Sequence, residues 1–215
     1  MPQTRSRAAR RDWSSIPIDQ IIDREFGLNT ELRNGTAAYV WMFREFERTG
    51  DPALFLERLL DQVGAQYRAN GQPGAQLLTF GDGSCNYLFD FTRSRVAMVW
   101  GVSRPAAPGT RDDAYHAGYP RAADGFDKGH AWSHAQGGRE GGPNYFQQTR
   151  RLNQARSDNG RLWRAIEMFL AAHAGTSAFI RLIYATGNSG DVPDDVEYGI
   201  LSGEGQFRAV QFPNR

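Results

Sequence analysis

Residues 127–169 read "DKGHAWSHAQGGREGGPNYFQQTRRLNQARSDNGRLWRAIEMF" and join two patterns of different kind. The first part is polar and rich in glycine, which predicts turns and short extended segments rather than a helix. The last part begins a run whose apolar residues recur at helical spacing: Leu162, Ile166, Phe169 and Leu170. We therefore predict an amphipathic helix over residues 157–175, ended by Gly175.

Segments of strand character lie on both sides of this stretch. Upstream, three aromatic or β-branched runs separated by turn residues predict an antiparallel meander: "QLLTFGD" (76–82), "NYLFDFT" (86–92) and "RVAMVWGVS" (95–103). Downstream, three similar runs predict further strands: "AFIRLIYATG" (178–187), "VEYGILS" (196–202) and "QFRAVQFPN" (206–214). Between the two groups, residues 103–143 are rich in glycine and proline, and loops of this length are usually functional or disordered.

The first 74 residues have the helical period instead. The run "TELRNGTAAYVWMFREFERTG" (30–50) ends in a predicted C-cap, Gly50, and Asp51 with Pro52 is a predicted start of the next helix. The order helices, strands, loop, helix, strands predicts an α+β fold with an antiparallel sheet core. We accordingly predict a helical N-terminal extension over residues 1–74 and a second domain over residues 75–215.

The composition is that of a folded chain without a membrane-spanning segment. Of 215 residues, 40% are hydrophobic, which suffices for a packed core. No apolar run approaches the roughly 18 residues that a transmembrane helix needs, and no apolar signal region follows the N-terminal arginines. We expect no membrane association, and either a cytoplasmic location or export as an effector without a cleavable signal peptide. The single cysteine, Cys85, excludes an intramolecular disulfide.

Positive charge concentrates in the middle of the chain. The net charge is only +1, so total charge does not indicate a nucleic-acid-binding protein. Residues 104–164, however, hold ten basic and six acidic side chains, a local net charge of +4. Such a region attracts phosphate, although a solvated arginine-rich surface is the alternative that charge alone leaves open.

Two histidines, His130 and His134, stand four residues apart, which is the spacing of a helical zinc site. The zincin form of that site needs a glutamate directly after the first histidine, and this chain has Ala131 there. No third ligand is obvious nearby. A zinc hydrolase therefore stays open as a weaker alternative.

The ordered residues of the quoted stretch resemble the catalytic core of DNA/RNA non-specific endonucleases, which are ββα-metal or His-Me finger nucleases. The family signature is Asp-Arg-Gly-His, then a segment with Asn and Gln, then Leu-Asn, then an aromatic residue four positions before a helical Glu. The matching positions here are Asp127–His130, Asn144–Gln148, Leu152–Asn153 and the pair Trp163 and Glu167. Two positions depart from the signature, Lys128 in place of Arg and Gln147 in place of the usual Pro. The resemblance covers about residues 76–214.

The resemblance implies a role for each matching residue. His130 is the expected general base, and Asn153 is the expected direct protein ligand of one Mg²⁺, for which Mn²⁺ can substitute. Glu167 is expected to contact the metal through a bound water. Lys128 is expected near the phosphate as a point charge, which cannot form the bidentate contact that an arginine forms. The remaining expected site residues are Asn144, which orients the His-bearing loop, and an upstream arginine that contacts the phosphate. Arg111 is the first candidate for that arginine, and Arg104 and Arg121 are the alternatives.

The resemblance therefore implies an endonuclease that hydrolyses DNA and RNA with Mg²⁺. Further expectations are a role as a bacterial toxin, effector or defence nuclease and, by analogy with toxins, an immunity or inhibitor protein as a partner. The main alternative is a non-catalytic nucleic-acid-binding module that keeps the nuclease fold. DNA versus RNA preference and oligomeric state stay open at this point.

Overall fold

The computed structural model describes residues 15–26, 31–107, 109, 112, 114, 122–202 and 206–215. The described helices are α1 (Ile18–Phe26), α2 (Val40–Thr49), α3 (Pro52–Ala69), α4 (Arg150–Asn153) and α5 (Asp158–Ala172). The described strands are β1 (Arg33–Asn34), β2 (Leu77–Gly81), β3 (Asn86–Asp90), β4 (Arg95–Val102), β5 (Phe126–His130), β6 (Tyr145–Thr149), β7 (Ser177–Ile183), β8 (Asp195–Ser202) and β9 (Gln206–Pro213). None of the described helices combines the length and apolarity needed to cross a bilayer.

Seven of the described strands form one antiparallel sheet in the order β1-β9-β8-β7-β4-β3-β2. The strands β5 and β6 pair with each other in a separate antiparallel hairpin, which leads directly into α4 and then α5. The α+β class with an antiparallel sheet, which the sequence predicts, is confirmed. Four residues separate α4 from α5.

Helices α2 and α3 cover one face of the large sheet, whereas α1 packs against α5. Tyr39, at the N-terminus of α2, packs edge-on against Phe179 of β7, with ring centroids 5.3 Å apart. Tyr67 of α3 donates a hydrogen bond to Asp90 at the end of β3 (2.8 Å). Asp51 caps α3 by accepting from the backbone N–H of Ala53 (2.9 Å), as the sequence predicts.

A buried polar group joins this helical layer to the sheet. The Tyr39 hydroxyl donates to Glu197 Oε2 of β8 (2.6 Å), and Arg181 of β7 donates to the same hydroxyl oxygen (2.7 Å). Burial raises the pKa of Glu197, against the opposing effect of the Arg181 charge and the Tyr39 hydrogen bond. Because an unpaired buried carboxylate is costly, the tyrosine and the arginine stabilise the fold at this contact.

The opposite face of the sheet is covered by the hairpin and α5. Trp163 of α5 packs against Tyr198 of β8 and Phe212 of β9, with ring centroids 4.8 and 5.4 Å away. Ser157 caps the helix by accepting from the backbone N–H of Gly160 (3.0 Å). The predicted amphipathic helix is therefore present, and its apolar stripe holds the hairpin on the sheet.

The segment before α2 differs from the helix that the sequence predicts. Arg33 and Asn34 form β1 and pair with Gln211 and Val210 of β9, and the helix begins only at Val40. An Asn-Gly pair favours a turn over a helix. The backbone N–H of Gly35 donates to the Ala209 carbonyl (2.9 Å), which continues the pairing with β9.

Candidate active site

The predicted site residues of the β5–β6 hairpin lie on its two opposite faces. Lys128 pairs with Gln147, and His130 pairs with Tyr145. Because side chains alternate along a strand, Lys128 and His130 lie on one face, and Asp127 and Gly129 on the other. The "DKGH" tetrapeptide therefore presents a cation and an imidazole side by side.

Gly129 is required by the close approach of the neighbouring strand. A Cβ at this position would lie 2.6 Å from the Cβ of Gln148, a distance that real side chains essentially never show. Any larger residue would force the two strands of the hairpin apart. The glycine between the lysine and the histidine is thus explained by packing.

Asn144 holds the loop that begins directly after His130. Its Oδ1 accepts from the backbone N–H of Trp132 (2.7 Å). Its Nδ2 donates to the carbonyls of Trp132 (2.9 Å) and Arg139 (2.8 Å). The side chain is fully buried, so this asparagine is a fixed structural link across the loop. Its effect on catalysis stays a prediction.

His130 contacts a carboxylate that the sequence interpretation missed. His130 Nε2 lies 3.0 Å from Glu140 Oε2, and the Tyr145 hydroxyl donates to the same carboxylate oxygen. The ring of His130 packs edge-on against that of Tyr145, with centroids 4.9 Å apart. Glu140 is the one acidic residue between Asp127 and Asp158, a signal that was present in the sequence.

Lys128 belongs to the same group of side chains. Its Nζ lies 5.0 Å from the centroid of the Tyr145 ring, within range of a cation–π interaction. Partial burial lowers the pKa of Lys128, while the charge of Glu140 acts in the opposite direction. The structure thus brings Lys128, His130, Glu140 and Tyr145 together on one face of the hairpin.

Asn153 lies beside the other face of the hairpin. Its Nδ2 donates to Asp127 Oδ2 (2.9 Å), and Gln154 Nε2 donates to the same oxygen (2.6 Å). Burial acts to raise the pKa of Asp127, but the hydrogen bonds from Asn153, Gln154 and Arg150 outweigh it, and the pKa is lowered. Because its nitrogen is directed at a carboxylate, Asn153 keeps its amide oxygen as the acceptor for another partner.

Glu167 lies two turns along α5 and is buried. Its Oε1 accepts from Trp163 Nε1 (3.1 Å), and its Oε2 accepts from Arg164 (3.2 Å). Burial raises the pKa of Glu167, although Arg164 and Trp163 act to lower it. Each carboxylate oxygen therefore already accepts one hydrogen bond from the protein.

The described residues do not form a closed zinc site. Within ranges 15–26, 31–107, 122–202 and 206–215, no three His, Cys, Asp or Glu side chains gather closely enough to hold a metal. His130 ends β5, and His134 begins a short 3-10 helix after the extended Ser133, so the two histidines do not share a helical face. Arg111 lies outside the described residues.

Comparisons with known proteins leave the family open. No protein-family model matches the chain, and the curated proteins contain no match. Among solved structures, the chain is similar to a zinc-bound Sda1 nuclease. The TM-score is 0.41 and the identity 12%, over 66% of this chain and 84% of that chain.

Proposed function

We propose that this chain is a metal-dependent endonuclease that hydrolyses phosphodiester bonds of DNA and RNA with little sequence preference. The observation that carries the proposal is His130, which has the Glu140 carboxylate 3.0 Å from its Nε2 and Lys128 on the same strand face. Attack of water on a phosphate needs a group that takes a proton and a cation that attracts the anion. His130 is the proposed group that takes the proton, and Lys128 is the proposed cation.

Glu140 favours the tautomer of His130 that carries its proton on Nε2 and uses Nδ1 as the basic nitrogen. In the proposed reaction, Nδ1 takes a proton from water while the water oxygen bonds to phosphorus. The bond from phosphorus to the 3′ oxygen breaks, and that oxygen takes a proton from solvent water, so the products end in a 5′-phosphate and a 3′-hydroxyl. The negative charge of Glu140 balances the imidazolium that forms.

The donor set suits one Mg²⁺ better than a zinc ion. Asn153 offers a neutral amide oxygen, and Mg²⁺ accepts such a ligand together with several retained waters. Bound there, Mg²⁺ would supply positive charge that stabilises the charge developing in the transition state, and Mn²⁺ is expected to substitute. Glu167 is proposed to hold a water between itself and the metal site.

Binding is proposed to depend on phosphate contacts and to weaken steeply with salt. Lys128 is one such contact, and Arg111 remains a proposed second one. We also propose that residues 75–215 carry the nuclease domain. The extension over residues 1–74 is proposed to support the sheet, because Tyr39 and Tyr67 form buried hydrogen bonds to its strands.

The test is digestion of plasmid DNA and of RNA by the purified chain, with Mg²⁺ and with EDTA. We expect cleavage of both substrates in Mg²⁺, none in EDTA, and a loss of about 100-fold or more in His130→Ala. The matched control is His173→Ala, because His173 lies at the C-terminal end of α5. Full activity in His130→Ala contradicts the mechanism.

A chain that binds DNA in a salt-dependent manner but never cleaves it would instead be the non-catalytic binding module. The toxin role and the inhibitor partner have their own test, which is growth of bacteria that express the wild type or His130→Ala. We expect the wild type alone to arrest growth.

A further inference from the structure

An aromatic patch lies at the β2 edge of the large sheet. Five large apolar side chains of the described residues are markedly exposed, and three of them are here: Leu78 (57%), Phe80 (36%) and Phe91 (49%). Cross-strand pairing puts Leu78 beside Phe89 and Phe80 beside Tyr87. We call Leu78, Phe80, Tyr87, Phe89 and Phe91 the aromatic edge patch.

The rings of the patch contact one another closely. Phe80 stacks on Tyr87, with centroids 5.2 Å apart and planes inclined by 30°. Phe91 packs edge-on against Phe89 (5.1 Å) and Phe80 (6.3 Å). Two of these rings, Phe80 and Phe91, keep a third to a half of their surface open to solvent. An exposed apolar cluster of this kind lowers solubility and is typical of a binding site.

The patch continues into a cavity beside the candidate active site. Phe89 lines a cavity of about 220 Å³ together with Lys128 and Tyr145 of the hairpin. Pro143 and Gly142, from the loop that Asn144 closes, line the same cavity. The volume lies below the roughly 300 Å³ at which pockets for drug-sized ligands begin. The aromatic rings and the cation therefore border one continuous surface.

We propose that the aromatic edge patch is a stacking platform for unpaired bases of the nucleic-acid strand whose phosphate reaches Lys128 and His130. The inference rests on the proposed nuclease function and adds to it a preference for single-stranded or locally opened substrate. Every base has a π-face, so stacking on phenylalanine is tolerant of sequence. A duplex hides those faces within its own stack, so only unpaired bases gain from the patch.

A nucleic acid fits the patch better than a protein strand added to the edge of β2. A protein strand would pair with the outer backbone edge of β2, and its recognition would depend on main-chain hydrogen bonds. The rings of the patch instead lie on the face that Phe89 shares with the cavity and Lys128. A platform of rings next to a cation matches the alternating bases and phosphates of a single strand.

The test measures binding in EDTA, where no cleavage occurs, by fluorescence anisotropy. The probes are a labelled single-stranded oligonucleotide of mixed sequence and an abasic oligonucleotide of the same length. The variant is Phe80→Leu with Phe91→Leu, which keeps apolar side chains and removes both exposed π-faces. The matched control is Trp41→Leu, because Trp41 of α2 is as exposed as Phe91 but lies outside the patch.

We expect the wild type and Trp41→Leu to bind the normal strand about tenfold or more tightly than the abasic strand. In the double variant, the affinity for the normal strand should fall close to that for the abasic strand, while the affinity for the abasic strand stays unchanged. Equal affinity of the wild type for both strands, or an unchanged ratio in the double variant, overturns the inference. So does a change of oligomeric state in the double variant with the ratio preserved, because that result assigns the patch to protein contact.

The outcome is separable from that of the proposed function. Base-dependent binding without any digestion in Mg²⁺ contradicts the nuclease proposal alone. Digestion in Mg²⁺ without base-dependent binding contradicts the stacking platform alone.

Discussion

His130 Nε2 lies 3.0 Å from Glu140 Oε2, and the two side chains are only 14% and 6% exposed. The imidazole belongs to the last residue of β5, and the carboxylate comes from the loop that follows, ten residues later. Asn144 holds that loop through three hydrogen bonds to its backbone. A buried carboxylate on an imidazole sets both the orientation and the tautomer of the ring, so Glu140 is a proposed positioning residue for His130.

Replacement of Glu140 by glutamine tests that role. Glu140→Gln removes the negative charge but keeps the size, and we expect the cleavage rate to fall about 10- to 100-fold. The affinity for DNA in EDTA should change less than about twofold, because Glu140 is not proposed to touch the substrate. Steady-state kinetics and anisotropy separate the two effects, with the exposed Glu57→Gln as control. A variant with normal rate would show that Glu140 only supports the loop.

Replacement of Asp127 tests the orientation of Asn153. Asp127→Asn removes the carboxylate that accepts from Asn153 Nδ2, so the amide is no longer held in one orientation. We expect the Mg²⁺ concentration for half-maximal cleavage to rise about tenfold, as is usual when a residue behind a metal ligand is lost. The exposed Asp61→Asn on α3 serves as control. An unchanged Mg²⁺ dependence would remove Asn153 from the proposed metal site or show that it needs no support.

Replacement of Glu167 by glutamine should raise the stability of the fold at high pH and lower the cleavage activity. Burial raises the pKa of Glu167 in the folded chain above its unfolded value. A carboxyl group whose pKa is higher in the folded chain than in the unfolded chain stabilises the fold at a pH below the unfolded-state pKa. That stabilisation is lost as the pH rises through the folded-state pKa. Glu167→Gln should therefore raise Tm at pH 8 relative to wild type, and the difference should narrow towards pH 4.

Scanning calorimetry from pH 4 to pH 8 measures this difference. Cleavage in Mg²⁺ is assayed on the same preparations, and we expect it to fall. A lower Tm for Glu167→Gln at pH 8 would show that the ionised carboxylate, through Arg164 and Trp163, stabilises the fold.

Removal of the Tyr39 hydroxyl should weaken the contact between the helical extension and the sheet. Tyr39→Phe leaves the buried Glu197 carboxylate without a hydrogen bond of 2.6 Å. Arg181 still contacts the carboxylate at 3.5 Å, so we expect the free energy of unfolding to fall by about 1–3 kcal/mol, the usual range for a hydrogen bond to a charged buried group. Urea titration measures it, and Tyr39→Phe combined with Glu197→Gln should recover part of the loss. An unchanged free energy of unfolding would show that the Tyr39 hydroxyl does not stabilise this contact.

Much of the fold follows from local patterns in the sequence. The helical period of Leu162, Ile166 and Phe169 predicts α5, and the aromatic, β-branched runs between turns predict β2, β3 and β4. These predictions succeed because side-chain periodicity records which face of an element is buried. The tetrapeptide at 127–130 and Asn153 are instead singled out by the resemblance of the stretch to a nuclease family. Their roles stay predictions.

Tertiary structure decided the contacts that depend on the path of the chain. Glu140 reaches His130 because a loop folds back, and no periodicity relates two residues across such a loop. Arg33 and Asn34 become a strand because the edge of β9 offers them backbone partners, which overrides a local helical pattern. The exposure of Phe80 and Phe91 is likewise set by the position of β2 at the end of the sheet. An apolar residue in a strand is expected to be buried, and only the strand order shows which face is left uncovered.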